Sequence, residues 1–363
     1  MLPFKAAAAA SRRRSGRALP LFASPPRSDE VLRTLSEASE ISVLAVDGTR
    51  LVAEATTRHG TAPTASAALG RALLGGLLMS AFKGEGEATQ ITFKGTGPLG
   101  GLQVVAEATG AVKGRVDNPA ADPPLRKDGK LDVGAAVGGG VLAIVRSREG
   151  GGDAYTGLTQ IVSGEVADDL AHYLATSEQV NCALALGVSL DRRGRVEAAG
   201  GFLVQALPLC SEGTLVALER NIAALPAVSS FFLPPSPEGK EGGGDSREDS
   251  DSGGDSGGVA GLTAALLAGI GAAPGPGFSL SPRYGPCEPD GLRQRMVRAA
   301  ALLGETEVKA ALDANGGVME MRCEFCQEAV AFEGEEVLEA ARRAQEGKKK
   351  GSRAEEGEEE EET

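Results

Sequence analysis

The chain has 363 residues, 42% of them apolar, which is enough for one large domain and a second small one. Its formal net charge of -13 argues against a general affinity for the phosphate backbone, so we expect no nucleic-acid partner. The 51 glycines exceed what one globular domain uses, which predicts long loops or disordered segments.

The first 28 residues carry six basic side chains and no acidic one, and they are rich in Ala and Ser. This composition is typical of an organellar transit peptide. The Ser and Pro content favours a chloroplast over a mitochondrial destination, and a merely disordered basic arm is the alternative. The apolar stretch in this segment is too short to span a bilayer, so we expect no membrane partner.

Residues 29–233 are predicted to form one mixed domain in a protein of the α+β class. A β-rich run at 41–46 is followed by Asp47-Gly48, which predicts a hairpin turn with 49–57 as the return strand. Thr64 is expected to cap a helix over 65–82, and this helix is apolar on nearly every side, so it should be buried. The remaining predictions are strands at 90–94, 102–108, 111–116 and 141–146, an apolar run at 203–209, and helices at 165–176 and 212–225.

The C-terminal third divides into three segments by composition. Residues 234–258 contain no apolar side chain other than proline, which predicts a flexible linker that continues through a short helix at 259–270 to residue 280. A small unit is predicted over 281–343. Its expected elements are helices at 292–303 and 305–312 and strands at 318–322 and 329–332. Residues 344–363 form an acidic tail that should be solvated.

Five cysteines occur in a chain without a secretory signal, so a framework of structural disulfides is not expected. Cys182 and Cys210 are interpreted as packing residues of the large domain. Cys323 and Cys326 are separated by two residues and lie between two predicted strands, which is typical of one half of a zinc ribbon. The same spacing suits a redox-active disulfide.

A closed zinc site needs four ligands, and Cys287 is the one other cysteine in the C-terminal third of the chain. The fourth position would fall to Glu288, Asp290 or water, and such a site should bind zinc more weakly than four thiolates do. We therefore expect no bound cofactor. If zinc does bind, Cys287, Cys323 and Cys326 are its expected ligands.

A series of short motifs follows in a fixed order through the large domain. They are Ala-Thr-Thr-Arg-His-Gly at 55–60, Ala-Leu-Gly-Arg at 68–71, Gly-Pro-Leu-Gly at 97–100, Gly-Arg-Val-Asp-Asn-Pro at 114–119, Tyr-Thr-Gly at 155–157, Ser-Gly-Glu at 163–165, Asp-Asp-Leu at 168–170, Ser-Glu-Gln at 177–179 and Gly-Gly at 200–201. In this order they resemble the 33-kDa heat-shock protein family, and the small C-terminal unit resembles that family's redox-switch domain.

This resemblance implies an ATP-independent, redox-regulated holdase chaperone without enzymatic activity. In the family, four cysteines hold zinc in the reduced, inactive state. Oxidation forms disulfides, releases the metal and unfolds the switch domain with its linker. The exposed protein then dimerises and captures unfolding client proteins. The expected redox-switch residues of this chain are Cys287, Cys323 and Cys326.

The chain departs from the family pattern in the switch domain, where Gly285 stands in the place of the first cysteine. A disulfide between Cys323 and Cys326 could strain the turn and favour unfolding, whereas a disulfide from Cys287 would close a long loop and stabilise the oxidised fold. Both alternatives stay open. A different function, thiol-disulfide exchange by Cys323 and Cys326, is the competing hypothesis.

Overall fold

The computed structural model describes residues 28–83, 86–148, 154–234, 257–275, 277–285, 287, 289–340 and 342–343. Residues 1–27 of the predicted transit peptide, most of the predicted linker insert and the predicted acidic tail lie outside the described residues. The strands are β1 (Glu30–Leu35), β2 (Ile41–Asp47), β3 (Glu87–Gly95), β4 (Gly101–Glu107), β5 (Ala111–Val116), β6 (Gly140–Arg148), β7 (Tyr155–Ile161), β8 (Cys182–Leu190), β9 (Val196–Ala206), β10 (Phe278–Leu280), β11 (Arg283–Tyr284), β12 (Val318–Arg322) and β13 (Ala329–Glu333).

Helices accompany these strands, and apart from the β5–β11 pair the strand pairs of the described residues are antiparallel, which confirms the predicted α+β class. They are α1 (Thr49–His59), α2 (Pro63–Lys83), α3 (Val133–Val137), α4 (Val166–Thr176), α5 (Glu212–Ala224), a 3-10 helix (Val228–Phe232), α6 (Gly258–Leu266), α7 (Pro289–Ala301) and α8 (Glu305–Ala314). Residues 334–340 form a further helical stretch after β13.

Helix α2 lies between two β-sheets. One sheet has the strand order β10-β1-β2-β9-β8, and the other has the order β11-β5-β4-β3-β6-β7. The helix contacts β3, β4 and β5 of the second sheet and β2, β8 and β9 of the first. It is therefore covered on opposite sides, which is why its sequence is apolar all round rather than along one stripe.

The burial predicted for this helix is confirmed. Its large side chains are almost completely inaccessible, namely Leu69, Leu73, Leu74, Leu77, Leu78 and Met79. By length and composition α2 could cross a membrane, but 89% of the apolar window is buried inside the protein. Burial of this kind is the pattern of a core helix, and it removes each Leu side chain from water at a gain of roughly 1.5–3 kcal/mol.

The predicted return strand at 49–57 is wrong, because this segment forms helix α1. Two carboxylates satisfy the backbone N–H groups of its first turn. Asp47 accepts from the backbone of Thr49 at 3.1 Å, and Asp29 accepts from Arg50 at 3.0 Å and from Leu51 at 2.6 Å. Asp47-Gly48 is thus the entry to a helix and not a hairpin turn.

Several strands have no counterpart in the prediction, and glycines explain part of the difference. Strand β9 contains Gly200 and Gly201, which lower strand propensity. A Cβ atom at Gly200 would lie 2.2 Å from the Phe232 ring, so the glycine lets that ring pack directly on the sheet. The apolar run predicted at 203–209 is the end of this strand. The other predicted elements occur within a few residues of their expected bounds.

The small C-terminal unit has an apolar cluster of its own. The β12–β13 hairpin, α7, α8 and the helical stretch at 334–340 contribute Leu292, Met296, Ala300, Val308, Leu312, Met319, Cys326, Phe332 and Val337. Strands β10 and β11 lie just before this unit and pair with β1 and β5 of the two large sheets. The predicted domain boundaries stay predictions.

The carboxylate of Asp29 offers a direct test of the α1 entry. Replacing Asp29 with Ala should destabilise the protein by about 1 kcal/mol, because two helix N–H groups lose their acceptor. Asp29→Asn keeps one acceptor oxygen and should cost less. Urea unfolding followed by circular dichroism measures both values. Equal stability of the wild type and Asp29→Ala would contradict the capping role.

Candidate redox site

Three thiols meet at the turn between β12 and β13. The sulfur atoms of Cys287, Cys323 and Cys326 lie within 4.8 Å of one another. Cys326 is buried and belongs to the apolar cluster of the C-terminal unit, whereas Cys287 and Cys323 are half-buried. The structure thus brings together the three residues that the sequence analysis proposed as redox-switch residues.

The three thiols differ in acidity because their surroundings differ. Burial alone would raise the pKa of Cys323, but hydrogen bonds from the backbone N–H groups of Cys326 and Phe325 and from the thiols of Cys326 and Cys287 together outweigh it and lower this pKa. Burial raises the pKa of Cys326 to about 12 and also raises the pKa of Cys287. In the reduced, metal-free protein Cys323 is therefore the thiol that loses its proton first, and the thiolate is the reactive form of cysteine.

The three sulfur atoms fit part of a tetrahedral zinc site. A Zn–S bond of about 2.3 Å places the sulfurs of such a site about 3.8 Å apart, so small shifts would bring all three onto one ion. Within the described residues, no fourth Cys, His, Asp or Glu joins the group. The side chains of Glu288 and Asp290 lie outside the described part of the structure. Bound zinc would hold the three thiolates together and thereby stabilise the turn.

A side chain at position 285, which could supply a fourth ligand, would strain the backbone. The φ of 132° at Gly285 is a backbone conformation that side-chain-bearing residues rarely adopt. Its N–H donates to the carbonyl of Val112 in β5 at 2.9 Å, so the conformation is tied to the large domain. Among the described residues other than its chain neighbours, a Cβ here would approach the backbone nitrogen of Cys287 at 3.3 Å, so backbone strain rather than lack of space opposes a side chain.

The turn that carries the cysteines docks on the C-terminal end of α1. We call residues 323–328 the knuckle loop. Arg58 donates to the carbonyl of Cys326 at 3.1 Å and pairs with Glu328 at 3.6 Å. His59 lies 3.1 Å from the carbonyl of Phe325 through Nε2 and 3.5 Å from the amide of Gln327 through Nδ1. Two consecutive residues of α1 therefore hold backbone and side chains of the loop.

Tyr284 connects the knuckle loop to β5. Its hydroxyl lies 3.0 Å from the carbonyl of Gly114, 3.0 Å from Nε2 of His59, and also within hydrogen-bond distance of the Phe325 carbonyl. The Tyr284 hydroxyl has one proton and can donate to only one of the two carbonyls. If Nε2 of His59 carries a proton, it can donate to the other one, so that each carbonyl has a donor. Burial lowers the pKa of His59, which favours this neutral form. The Tyr284 ring packs against the apolar clusters of both the large domain and the C-terminal unit.

Charged contacts surround this buried centre. Arg115 of β5 pairs with Glu324 at 3.2 Å, and the Lys113 ammonium lies 5.8 Å from the centre of the Phe325 ring. The Arg58 guanidinium lies 5.5 Å from the centre of the Tyr284 ring. Exposed ion pairs contribute at most about 1 kcal/mol each. The docking therefore depends mainly on the part-buried hydrogen bonds of His59 and Tyr284.

Sequence reasoning found the thiols but not the residues that dock them. Arg58 and His59 belong to one of the family-like motifs, but the sequence alone indicates no function for them. No sequence pattern indicates the role of Tyr284, because its partners are distant in sequence. The other two thiols lie elsewhere, where Cys182 packs against the main core and Cys210 against a second apolar cluster, as predicted. The cysteine pair lies in a turn between strands and not at a helix N-terminus, where thiol-disulfide exchange proteins place it.

Comparisons with known proteins agree on one family. The family model described as "Hsp33 protein" matches residues 29–240. A "33 kDa chaperonin" of Thermus thermophilus is 47% identical over 204 residues, which cover 56% of this chain and 60% of the length of that relative. A "33 kDa chaperonin" of Desulfotalea psychrophila is 35% identical over 312 residues, covering 86% of this chain and 97% of that protein.

A solved structure shows the same fold. The crystal structure of the 33 kDa chaperonin (heat shock protein 33 homolog) from Thermotoga maritima matches with a TM-score of 0.73 and 26% sequence identity. The match covers 88% of this chain and 100% of that one, so it extends beyond the segment shared with the Thermus protein.

The incomplete ligand set predicts weak zinc binding that a fourth thiol should strengthen. Gly285→Cys should raise the affinity for Zn²⁺ by at least about tenfold, since a structural zinc site supplies roughly 10–16 kcal/mol and the strain at this position costs about 1–3 kcal/mol. Competition with a chromophoric chelator under reducing conditions measures the affinity.

Gly213→Cys is the matched control, because a Cβ at this position of α5 meets no described atom within 4 Å beyond its chain neighbours and its own helix backbone, and the site is remote from the knuckle loop. It adds one thiol without adding a fourth ligand and should leave the affinity unchanged. Equal affinities of the wild type and Gly285→Cys would contradict the three-ligand interpretation.

Proposed function

The chain belongs to the Hsp33 family, and we propose that it is an ATP-independent holdase chaperone whose client binding is controlled by Cys287, Cys323 and Cys326. The names of its relatives support the chaperone activity, and the thiol cluster supports the redox control. The protein would act by binding unfolding polypeptides and not by catalysis. Thiol-disulfide exchange gains no support from the position of the cysteines.

One observation supports the proposed redox control most directly. The loop that holds Cys323 and Cys326 is the same loop that docks the C-terminal unit on α1 and β5. A covalent change at the sulfurs must therefore act on the docking contacts directly. In particular, Cys326 supplies a thiol to the cluster and its carbonyl to Arg58.

Oxidation by a peroxide can be written with atoms and electrons in balance. A thiolate attacks the peroxide O–O bond and becomes a sulfenic acid, while the other oxygen leaves as hydroxide or water. A second thiol of the cluster then attacks the sulfenic sulfur, forms the S–S bond and releases water. The two sulfurs must approach to about 2.05 Å, which displaces the backbone that carries them.

The C-terminal unit is well suited to respond to such a displacement. Its apolar cluster is small and contains one of its three cysteines, so its own stability should be low. A change of about 3 kcal/mol is then sufficient to move a docked unit to a mostly undocked one. We propose that undocking and unfolding of this unit expose the client-binding surface.

Location and assembly are part of the same proposal. The basic, acid-free composition of residues 1–28 supports import into the chloroplast, with the mitochondrion as the alternative. We further propose that the active form is a homodimer that binds unfolded client proteins, as the family resemblance implies, with no nucleic-acid or membrane partner.

Aggregation of a heat-unfolding client protein, followed by light scattering, tests the proposal. The peroxide-oxidised protein should suppress aggregation and the reduced protein should not. Cys323→Ser should abolish the effect of oxidation, since the cluster then loses the thiol with the lowered pKa. Cys210→Ser is the matched control, because this thiol lies outside the cluster, and it should behave as the wild type does.

A second variant separates thiol chemistry from docking. Tyr284→Phe keeps the ring but removes the hydroxyl that contacts Gly114, and it should suppress aggregation even when reduced. Loss of this part-buried hydrogen bond, worth about 1–2 kcal/mol, shifts the docking equilibrium by roughly five- to thirtyfold. Suppression by neither the oxidised wild type nor Tyr284→Phe would contradict the chaperone function itself.

A further inference from the structure

Strand β7 forms an exposed edge of the second sheet. Among the described residues it pairs with β6 alone, and the strand order ends with it. Its sequence, Tyr-Thr-Gly-Leu-Thr-Gln-Ile, contains neither a charged residue nor a proline. Tyr155 is 52% exposed and Leu158 is 66% exposed, and Val162 just after the strand is 68% exposed.

Such an edge is unusual because proteins normally protect the edges of their sheets. A charged side chain, a proline, a bulge or a covering element prevents another strand from pairing with the unpaired N–H and C=O groups. Strand β8, at the end of the first sheet, is more enclosed: α4 and the 3-10 helix pack against it and all of its residues are half-buried. Strand β7 also contacts α4, but four of its seven residues are exposed.

The apolar character of the edge continues across the outer face of the sheet. Gly157 and Ile161 of β7 are buried and face the core, so Leu158 points to the opposite face. There Leu158 lies opposite Ala143 of β6, while Val141, which is 44% exposed, lies opposite Gln160. A strand added beside β7 would place alternate side chains next to Leu158 on this face.

We propose that β7 is a docking edge for an extended segment of an unfolded client, which adds to the sheet as a further strand; this inference rests on the proposed holdase function. A row of unpaired backbone groups matches another extended backbone, and it does not match a helix. Backbone pairing is independent of side-chain identity, so it suits clients of many sequences, and the neighbouring apolar face favours apolar side chains at alternate positions.

The absence of charge on β7 agrees with this occupant. An uncharged edge neither attracts nor repels a client on electrostatic grounds, whereas binding of an acidic or basic ligand would require charged side chains that this strand lacks. Gly157 keeps the edge strand in place, because its missing side chain leaves room for the Tyr173 ring, which a Cβ atom would meet at 2.6 Å.

A charge placed on the edge tests the proposal. In Leu158→Lys a charged side chain replaces the apolar one beside which an added strand would place its own apolar side chains, and the exposed position should leave the fold intact. Val216→Lys on α5 is the matched control, because this residue is 57% exposed and lies away from the edge. The probe is a fluorescent ten-residue peptide with alternating Val and Thr, and its binding to the oxidised full-length protein is measured by fluorescence anisotropy.

We expect Leu158→Lys to weaken binding of this peptide at least tenfold and Val216→Lys to leave it unchanged. The same peptide with N-methyl groups at every backbone amide cannot donate hydrogen bonds along either edge, so it should also bind at least tenfold more weakly to the wild type. Hydrogen exchange at 155–161 should slow when the unmodified peptide binds. Equal binding of the peptide by all three proteins would overturn the assignment.

The outcomes separate this inference from the proposed function. If the wild type suppresses client aggregation and Leu158→Lys does so equally well, the docking edge is wrong and the holdase function stands. If the wild type suppresses no aggregation, the holdase function is wrong, and the client assignment that rests on it is wrong as well. If Leu158→Lys alters the dimer–monomer equilibrium in sedimentation and leaves peptide binding intact, the edge is occupied by a second copy, which also overturns the client assignment.

Discussion

The burial of α2 between two sheets is the constraint on which the rest of the structure depends. This helix contacts three strands of each sheet, so the sheets cannot separate without exposing its leucines. Helix α1 packs on α2 and on β9, and this packing fixes the position of its C-terminal end. Arg58 and His59 are presented there as rigid partners for the C-terminal unit. A stable core thus supplies the fixed half of a contact whose other half is weak.

The weak half is the knuckle loop, and its physical character explains how thiol chemistry could control a large rearrangement. The contact combines exposed ion pairs of small value with a few part-buried hydrogen bonds around Tyr284 and His59. Such a contact is stable enough to form and is sensitive to small displacements, because hydrogen bonds weaken steeply when their geometry is distorted. Because the cysteines belong to the same short loop, any bond between them acts on the contact without an intermediary.

The sequence predicted the class of the fold, the buried helix, the hairpin with its cysteines and the thiol cluster, because these depend on local patterns and short spacings. The strand expected at 49–57 was wrong because Asp29, which lies 21 and 22 residues before the two N–H groups it accepts from, caps this segment as a helix, and no local pattern shows such a partner. Strands β7 and β9 were missed or shortened for a related reason. Their glycines lower strand propensity locally, while the packing of Tyr173 and Phe232 requires them. Tyr284 could not be found from sequence, since its role depends on contacts with Gly114 and Phe325.

Hydrogen exchange of the full-length protein, reduced and after peroxide treatment, is the most direct test of the central claim that the thiols control docking on α1 and β5. We expect the amides of 54–60 and 111–116 to exchange faster after oxidation, together with those of the knuckle loop, while α2 stays protected. Unchanged exchange at 54–60 and 111–116, with a disulfide verified by mass spectrometry, would contradict it.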